Sequence, residues 1–278
     1  MKITVVTGSR ADYGLLEWPI KLLGEDPFFE VEVLRIWDTK FSQASMLPFE
    51  PRPDLVLVLG DRFEILGVVC AAYLKRIPIA HIGGGDVTEG SYDDAMRDSI
   101  SRMASIHFVT STSAMARLTH LGYRNVHLVG SPGIDYIKHA DWKKERHTEE
   151  PYVVVSYQAE TLDGTIEMDK VFEAVGGRTV VFIPPNPDRG SDEISQAIYK
   201  YCAEHANASW HTYPHDQFLN LLFHCDEFIG NSSSMLYEAP ELGVKVKMIG
   251  KRQRGRVIPM GDGLTSKRIL NILKYTPL

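Results

Sequence analysis

Short, mainly apolar runs rich in valine and isoleucine alternate with longer helical patterns along the whole chain. Runs that are mainly continuous instead of alternating between apolar and polar positions are typical of strands that are covered on both faces. In the first half they predict six strands, at Ile3–Thr7, Val31–Ile36, Leu55–Leu59, Ile77–Ala80, Ile106–Thr110 and Val126–Val129. Strands that alternate with helices indicate parallel sheets with crossover helices, which excludes the all-α and all-β classes.

Helical patterns fill the intervals between these strands. The clearest is Tyr92–Ser105, in which Met96, Ile100 and Met103 recur at the spacing of one helix face. After the polar segment Asp141–Pro151 the alternation restarts. It predicts strands and helices in turn, at Tyr152–Ser156, Ile166–Val175, Thr179–Ile183, Ser191–His205, Glu227–Ile229 and Ser233–Leu242.

The polar segment is expected to connect two domains, because it is strongly charged and is closed by a proline. The chain therefore divides into two predicted α/β lobes, residues 1–145 and 146–278, each of ordinary domain size. Ligands of open parallel sheets bind beyond the carboxyl ends of the strands. The predicted functional site accordingly lies at those ends, in a cleft between the lobes.

Composition narrows the class of protein. The 278 residues are 44% hydrophobic and 24% charged, which describes a globular chain. No run approaches the roughly 20 apolar residues of a membrane span, and the first residues lack a signal-peptide pattern, so a cytoplasmic location is expected. The net charge of -6 argues against a surface that generally coats nucleic acid. We expect the three cysteines, Cys70, Cys202 and Cys225, to be reduced core thiols.

Two motifs follow strands of the first lobe with little intervening loop. Thr7–Asp12 combines a glycine with small hydroxyl groups and Arg10, which would let the backbone approach a phosphate, although a glycine here also serves packing. Asp61, Arg62 and Glu64 crowd the end of the PDLVLVL strand. Charged groups at the end of a buried strand cost free energy unless water solvates them or they serve a function. Asp61 could equally cap the following helix.

A third motif, His81-Ile82-Gly83-Gly84-Gly85-Asp86, follows the predicted strand Ile77–Ala80. Three consecutive glycines indicate unusual backbone torsions or amide groups that open toward an anion. The next helix begins with Asp93 and Asp94, at least one of which fits an ordinary helix-start carboxylate, and Arg97 lies one turn further on.

In the second lobe, Gly230-Asn231-Ser232-Ser233-Ser234 joins a predicted strand to a helix. Hydroxyl groups and free amides at a helix N-terminus predict a phosphate site, whereas a simple N-cap would explain one serine better than three. A basic stretch follows, from Lys245 to Arg256. Such a stretch is usually a solvated loop. Its closeness in sequence to GNSSS favours binding of a diphosphate group, and nucleic acid is a weaker alternative.

Together, these motifs resemble the UDP-N-acetylglucosamine 2-epimerase family, in particular its hydrolysing, sialic-acid-pathway branch. The matching segments are TGSRADYGLL, LGDRFE, AHIGGGDVTEG with YDDAMRDSISRMASIHFV, and GNSSSMLYEAP with KRQRGR. They occur in this order over almost the whole chain. The resemblance implies two Rossmann-like lobes of the glycosyltransferase-B type, with the nucleotide diphosphate on the second lobe.

The resemblance also implies roles for matching residues. Ser232 and Ser233, in the motif that contains Asn231, would receive the β-phosphate, and Glu238 the ribose hydroxyls. Arg10 and Arg256 would neutralise the charge of the diphosphate. Asp61 matches a carboxylate that the family reaction requires, with Arg62 beside it; the glycine motif and the following helix contribute His81 and Arg97 to the expected substrate contacts.

Departures from the family fall mostly in the sugar half of the site. Only Trp37–Pro53 remains of a longer segment before the PDLVLVL strand. Gly83 stands where the family commonly has an acid/base glutamate and Asp98 where it commonly has histidine, and a histidine-containing segment of the second lobe begins here with Gln158. Gly83 carries no proton and Gln158 does not titrate, so Asp86, Asp93 or Asp94 would have to supply the missing group.

We therefore predict a hydrolysing 2-epimerase that converts UDP-N-acetylglucosamine, or a close relative, to the 2-epimeric free sugar and UDP. Asp61 is the expected proton-transfer residue, with Asp86 or Asp94 as the second group, and neither cofactor nor metal is required. The alternatives are a glycosyltransferase of the same fold, with a glycan, small-molecule or nucleic-acid acceptor, and a binding module without turnover. Related enzymes form dimers or larger assemblies, so a homodimer is the default expectation.

Overall fold

The computed structural model describes residues 1–37, 39–146 and 149–276. The chain divides into two compact units. Unit 1 comprises residues 1–87, 93–140 and the described residues from 257 onward, and unit 2 comprises residues 88–92 and 141–256.

Unit 1 holds a six-stranded parallel sheet with the strand order β2-β1-β3-β4-β5-β6. Its elements are β1 (Lys2–Thr7), α1 (Arg10–Glu25), β2 (Glu30–Arg35), α2 (Phe41–Ala44), β3 (Leu55–Leu59), α3 (Phe63–Leu74), β4 (Ile79–Ile82), α4 (Asp93–Met103), β5 (Ile106–Val109), α5 (Thr112–His120), β6 (Val126–Leu128), α6 (Pro132–His139) and, from the chain end, α11 (Thr265–Tyr275).

Unit 2 holds a five-stranded parallel sheet with the order β11-β10-β7-β8-β9. Its elements are β7 (Val153–Ser156), α7 (Met168–Val175), β8 (Val180–Ile183), α8 (Ser191–Glu204), β9 (Ala208–Trp210), α9 (His215–His224), β10 (Glu227–Gly230), α10 (Ser234–Leu242) and β11 (Val246–Met248).

The uniform apolarity of the strands comes from helices on both faces of each sheet. In unit 1, Val5 and Leu57 pack into the core layer that contains α1 and α11, while Val6 and Val58 pack into the layer that contains α3. Successive strand residues point to opposite faces, so every position of such a strand must be apolar. Unit 2 has the same two-layer arrangement. The predicted α/β class with two Rossmann-like sheets is confirmed.

Helix α11 makes the first unit discontinuous in sequence. Its Ile269 and Leu273 are buried in the core layer that β1 and β3 share, and the Asp135 carboxylate of α6 accepts the backbone amides of Thr265 (3.1 Å) and Ser266 (2.5 Å) at its start. The contiguous lobes predicted at 1–145 and 146–278 therefore differ from the observed units, because the last helix returns to unit 1.

The element boundaries differ from the sequence prediction at two informative places. Strand β4 begins at Ile79 and continues to Ile82, so His81 lies inside a strand instead of after one. The N-cap residue of α3 is Arg62, so the expectation that Asp61 caps this helix is wrong. The short strands β9 and β11 have no counterpart among the predicted strands.

The described part of the predicted connection Asp141–Pro151 belongs to unit 2 and packs partly against its helix α9. Trp142 is buried with its ring against Phe223, and Asn220 accepts the amide of Lys144 at 2.8 Å. His147 and Thr148 lie outside the described residues. The three cysteines are free, half-buried thiols, and Cys202 and Cys225 pack against the two core layers of unit 2. No helix among the described residues is both long and apolar enough to cross a membrane.

Candidate functional site

Each sheet has one point at which the chain reverses its direction of strand addition. In unit 1 this switch point lies between β1 and β3, and in unit 2 between β7 and β10. The loops after two such strands diverge, which opens a crevice at the carboxyl ends. In unit 1 these loops carry Gly8–Asp12 and Gly60–Arg62, and in unit 2 Tyr157–Gln158 and Asn231–Ser233.

A buried guanidinium gathers the predicted acidic residues of unit 1. Arg97, on α4, lies fully buried and forms ion pairs with Asp61, after β3, and with Asp94, one turn earlier on its own helix. It also donates to the backbone carbonyl of Asp86 at 2.9 Å. The structure thus brings Asp61, which is 36 residues away in sequence, to the Asp94–Arg97 pair of α4.

The electrostatics of this cluster follow from its burial. Burial disfavours the charged form of Arg97, but the carboxylates of Asp61, Asp94 and Asp86 outweigh it and raise the pKa of the guanidinium. The arginine therefore stays charged. If one carboxylate moved away, the buried charge of Arg97 would be left uncompensated. The guanidinium therefore fixes the orientation of its carboxylate partners.

Asp86 lies close to this cluster but is held differently. Its side chain is buried, and its carboxylate accepts the hydroxyl of Thr110 at 3.2 Å. Its backbone carbonyl accepts both Arg97 and Arg117. Asp86 therefore contacts the guanidinium through its main chain, and its carboxylate is tied to β5.

Asp12 is a titratable group of this region that the sequence analysis did not single out. It lies in the first turn of α1, and its carboxylate accepts the amide of Gly8 at 3.1 Å. Burial raises its pKa to about 6, helped by the negative charge of Asp61 and opposed by Arg62. In the sequence TGSRAD, Asp12 looks like an ordinary acidic residue at a helix start. The charges of Asp61 and Arg62, in the neighbouring β3 loop, come close to it only in the folded structure.

The two predicted arginines of this edge have different surroundings. Arg62 donates from Nε and Nη2 to the carboxylate of buried Glu64, at 3.2 and 3.1 Å, which is a bidentate pair. Arg10 is exposed at the first position of α1. Arg10 is thus sterically available to an anion, whereas Arg62 is already bound to a carboxylate.

His81 is built into the sheet. Its ring nitrogens lie 2.9 Å from the Ser101 hydroxyl and 2.7 Å from the Gly60 carbonyl oxygen, and the side chain is fully buried. Burial lowers its pKa to about 4, so the ring is neutral at pH 7. His81 therefore connects α4, through Ser101, with the loop after β3, through Gly60.

Gly83 has the backbone conformation that glycine favours, with φ of +85°. A Cβ at this position would have the amide nitrogen of Gly60 as its nearest neighbour, at 4.0 Å. Space is therefore present beside the β3 loop, but the backbone torsion disfavours any side chain.

In unit 2, an amide side chain joins the two loops of the switch point. Asn231 is fully buried; its Oδ1 accepts the Gln158 amide at 2.7 Å, and its Nδ2 donates to the Gln158 carbonyl at 2.8 Å. The Gln158 side chain in turn accepts the amide of Asn186 at 2.8 Å. Asn231 and Gln158 therefore form the frame of the crevice.

The serines after β10 begin helix α10. Ser232 accepts the amide of Ser234 at 3.3 Å and so supplies the cap. Ser233, the N-cap residue itself, makes no side-chain capping bond within the described chain. One serine is thus sufficient for capping, and the Ser233 hydroxyl remains at a helix N-terminus, where the helix dipole favours an anion.

Glu238 and Arg256 lie on either side of this helix start. Glu238 is buried one turn after Ser234, and burial raises its pKa to about 7, opposed by a hydrogen bond to the Ser234 hydroxyl. Arg256 donates to Gln253 at 3.3 Å and lies over the ring of Tyr237, 5.5 Å from its centre. Gln253 donates to the carbonyl of Asn231 at 2.8 Å, which connects Arg256 to the crevice.

The basic stretch from Lys245 to Arg256, which contains β11, does not form one solvated patch. Lys245 pairs with Glu227, Arg252 with Asp188 and Arg254 with Glu89. Acidic partners distant in sequence thus neutralise much of the run, contrary to the expectation from its local composition. Across the described ranges, no three His, Cys, Asp or Glu side chains lie close enough together to hold a metal ion.

Two doubly wound parallel sheets, with a serine-rich helix start at one switch point and a carboxylate cluster at the other, define an enzyme of the glycosyltransferase-B type that handles nucleotide sugars. The family profile for UDP-N-acetylglucosamine 2-epimerase matches residues 47–259. The chain belongs to this family.

Individual relatives agree with this assignment. The chain is 28% identical to the polysialic acid biosynthesis protein P7 of Escherichia coli, over 92% of this chain and 80% of the relative. It is 27% identical to the hydrolysing UDP-N,N'-diacetylbacillosamine 2-epimerase of Legionella pneumophila, over 100% of this chain and 96% of the relative. The UDP complex of MnaA from S. aureus has the same fold, with a TM-score of 0.78, 16% identity and coverage of 99% and 96%. These names favour the epimerase over the transferase alternative.

Proposed function

We propose that this protein is a hydrolysing 2-epimerase of a UDP-linked 2-acetamido sugar. In this reaction the C2 proton is removed and UDP leaves by elimination to a glycal. Water then adds to give the free 2-epimeric sugar. The observation that carries the proposal is the buried Arg97, which holds Asp61 and Asp94 together at the carboxyl edge of a family member's sheet.

Unit 1 supplies the proton-handling groups. Asp61 is oriented by Arg97, and Asp94 shares the same guanidinium. Asp12 adds a carboxyl whose pKa of about 6 makes it a stronger base than an ordinary aspartate. We infer that Asp12 and Asp61 divide the two proton transfers, since Gly83 offers no side chain and the Asp86 carboxylate is tied to Thr110.

Unit 2 supplies the nucleotide-binding groups. Ser232 and Ser233, at the start of α10, would donate hydrogen bonds to the β-phosphate, where the helix dipole stabilises the departing UDP. Glu238 would accept the ribose hydroxyls from inside the same helix. Arg256 would balance the diphosphate charge beside them.

The test is a proton NMR time course in deuterated water with UDP-N-acetylglucosamine and, in parallel, UDP-N,N'-diacetylbacillosamine. We expect free 2-epimeric sugar with deuterium at C2, and UDP in equal amount. Asp61→Asn should abolish this turnover but retain UDP binding by calorimetry. Asp192→Asn, a matched change of an exposed aspartate on α8, should have no effect.

Two results would contradict the proposal. One is UDP release from either substrate without deuterium at C2, which indicates simple hydrolysis or transfer. The other is full activity of Asp61→Asn, which would remove the cluster around Arg97 from the chemistry.

A further inference from the structure

The loop after β4, residues 83–86, lies between two helices of unit 1. A Cβ added to Gly84 would lie 2.6 Å from the Ser101 hydroxyl oxygen of α4. A Cβ added to Gly85 would lie 2.7 Å from the Ala114 carbonyl oxygen of α5, and Gly85 also has a positive φ of +83°. The backbone of this loop therefore packs directly against both helices.

Two arginines from these helices converge on one backbone oxygen at the end of the loop. Arg97 of α4 donates from Nη1 to the Asp86 carbonyl at 2.9 Å, and Arg117 of α5 donates from Nη1 to the same oxygen at 3.1 Å. A carbonyl oxygen has two lone pairs, so these two bonds use its full acceptor capacity. The position of this oxygen therefore depends on both arginines.

Carboxylates lie beside both guanidinium groups and offset their mutual repulsion. Arg97 pairs with Asp61 and Asp94, and Arg117 donates from Nη2 to Oδ2 of Asp98 at 2.9 Å. The other oxygen of Asp98, Oδ1, is buried and has no hydrogen-bond partner among the residues that the structure describes. The pair with Arg117 is therefore what holds the Asp98 carboxylate in place.

These contacts form a closed ring between α4, α5 and the loop. Arg97 and Asp98 are successive residues of α4, and Arg117 connects Asp98 to the carbonyl that Arg97 contacts. A planar guanidinium presents its N–H groups in fixed directions, so Arg117 sets the separation of its two acceptors, whereas a lysine ammonium on its flexible stem would not. Arg97 therefore donates to a carbonyl whose position α5 controls.

We propose that Arg117 is a positioning residue, which holds the Asp86 carbonyl where Arg97 donates to it and so fixes the guanidinium that orients Asp61. Arg117 itself contacts Asp86 and Asp98, so its effect reaches Asp61 through Arg97. The effect on turnover rests on the 2-epimerase function proposed above. The hold on the carbonyl does not depend on which reaction the protein catalyses.

The first test measures turnover of the UDP-sugar by Arg117→Ala. We expect kcat to fall roughly 10- to 100-fold, the usual cost of a small misplacement of reacting groups. KM and the UDP affinity by calorimetry should stay within about twofold, because the proposed nucleotide-binding groups lie in unit 2. Arg117→Lys should keep more of kcat, because it retains the charge. Arg124→Ala, a change of an exposed arginine after α5, should have no effect.

Added guanidinium ion distinguishes positioning from a loss of fold. At millimolar concentration it should restore part of the kcat of Arg117→Ala, because it can donate to the same carbonyl and the same carboxylate as the lost side chain. Urea, which has a similar shape but no charge, should not restore it. A variant that has merely lost its fold would respond to neither.

The second test does not require turnover. Asp86 and Val87 form the one Asp–Val dipeptide of the sequence, so aspartate labelled at its carbonyl carbon, together with valine labelled at its nitrogen, gives a single peak in a carbonyl–amide correlation spectrum. A hydrogen bond deshields a carbonyl carbon. The Asp86 resonance should therefore move upfield in Arg117→Ala and return with guanidinium ion, and Arg124→Ala should leave it unchanged.

Two results would overturn the proposal. One is an unchanged Asp86 resonance in Arg117→Ala, whatever the reaction is. The other is a shifted resonance with parental kcat, because the position of the carbonyl would then not matter to turnover. If the parent chain turns over neither UDP-sugar, the proposed function fails, and the resonance alone decides whether Arg117 holds the carbonyl.

Discussion

At the scale of single residues, the carboxylates of unit 1 differ in what they can do because their neighbours differ. Asp61 and Asp94 are fixed by one buried guanidinium, Asp86 by a hydroxyl of the next strand, and Asp12 by an amide of its own loop. Asp12 is buried, and its pKa is raised to about 6. Side chains of the same type within one small region thus have different environments.

Asp12→Asn is predicted to lower kcat at least 10-fold with little change in KM, and to remove the rise of activity through about pH 6. The reason is that Asp12 accepts a proton only when ionised, and its pKa is about 6. Rates measured from pH 5 to pH 8 check this.

The same variant distinguishes chemistry from architecture. A carboxyl whose folded pKa is raised contributes stability below its unfolded pKa and loses it as pH rises through about 6. Asn keeps the acceptor for Gly8 without the charge, so at pH 8 the free energy of unfolding should be equal or higher. A large loss of stability with an unchanged pH profile would show that Asp12 is only a helix-start residue.

Buried histidines are predicted to make unit 1 sensitive to acid. Burial lowers the pKa of His81 and of His107 to about 4, below the ordinary 6.5. Their neutral form therefore contributes stability that is fully present above pH 6.5 and is lost as pH falls toward 4. We expect the free energy of unfolding to fall by on the order of 2 kcal/mol over this range, measured by urea titration.

The contribution of His107 can be isolated. His107→Phe keeps the edge-on ring contact with Tyr123, whose centre is 5.1 Å away, but removes the titrating group. The variant should show a shallower loss of stability between pH 6.5 and 4 than the parent chain. Equal slopes would mean that carboxylates alone cause the acid sensitivity.

At the scale of elements, the strand–turn–helix unit of β10 and α10 depends on a close approach of two backbones. Gly230 has φ of +135°, and a Cβ there would overlap the carbonyl oxygen of Ser156 on β7. The same carbonyl accepts the amides of Asn231 and Ser232. The tight approach of β10 to β7 therefore sets the position of the serines at the helix start.

Gly230→Ala is predicted to cost more than 2 kcal/mol of stability and to weaken UDP binding, because the strand pair must separate and the serine loop moves with it. Gly24→Ala is the matched control. Gly24 lies in α1 with no atom within 4 Å of an added Cβ, so that change should be neutral or stabilising. If calorimetry shows normal UDP affinity for Gly230→Ala, the position of the serine loop does not depend on the contact between β10 and β7.

At the scale of the whole molecule, the division into units does not follow the order of the chain. Helix α11 closes the core of unit 1 although the whole of unit 2 precedes it in sequence. Unit 1 is therefore complete only after the last helix has been made. Contacts between residues so far apart in sequence are entropically costly to close, and the buried area of α11 offsets this cost.

Ile269→Ala is predicted to destabilise unit 1 by about 2–5 kcal/mol, because it leaves a cavity in a fully buried layer. Tyr275→Ala, on the same helix but 78% exposed, should change the free energy of unfolding by less than about 0.5 kcal/mol. Urea unfolding of the two variants checks the difference. Equal effects would place α11 outside the cooperative core.

The strands and the fold class were predictable because their signal is local. A strand covered on both faces must be apolar at every position, and β3, LVLVL, was located with its boundaries unchanged. The strand β4 was placed too early because His81 is polar, and its burial depends on partners in α4 and in the β3 loop. The three-residue strands β9 and β11 are too short and too exposed to carry a pattern.

The sequence by itself determined the α/β alternation, the motifs at the strand ends and the family, since each depends on residue types within short segments. Only the tertiary structure decided which charges meet: Asp61 with Arg97, Asp12 beside the β3 loop, and the basic stretch with distant acids. It also returned α11 to unit 1. These outcomes depend on the order of strands in the sheets, which places residues together that are far apart along the chain.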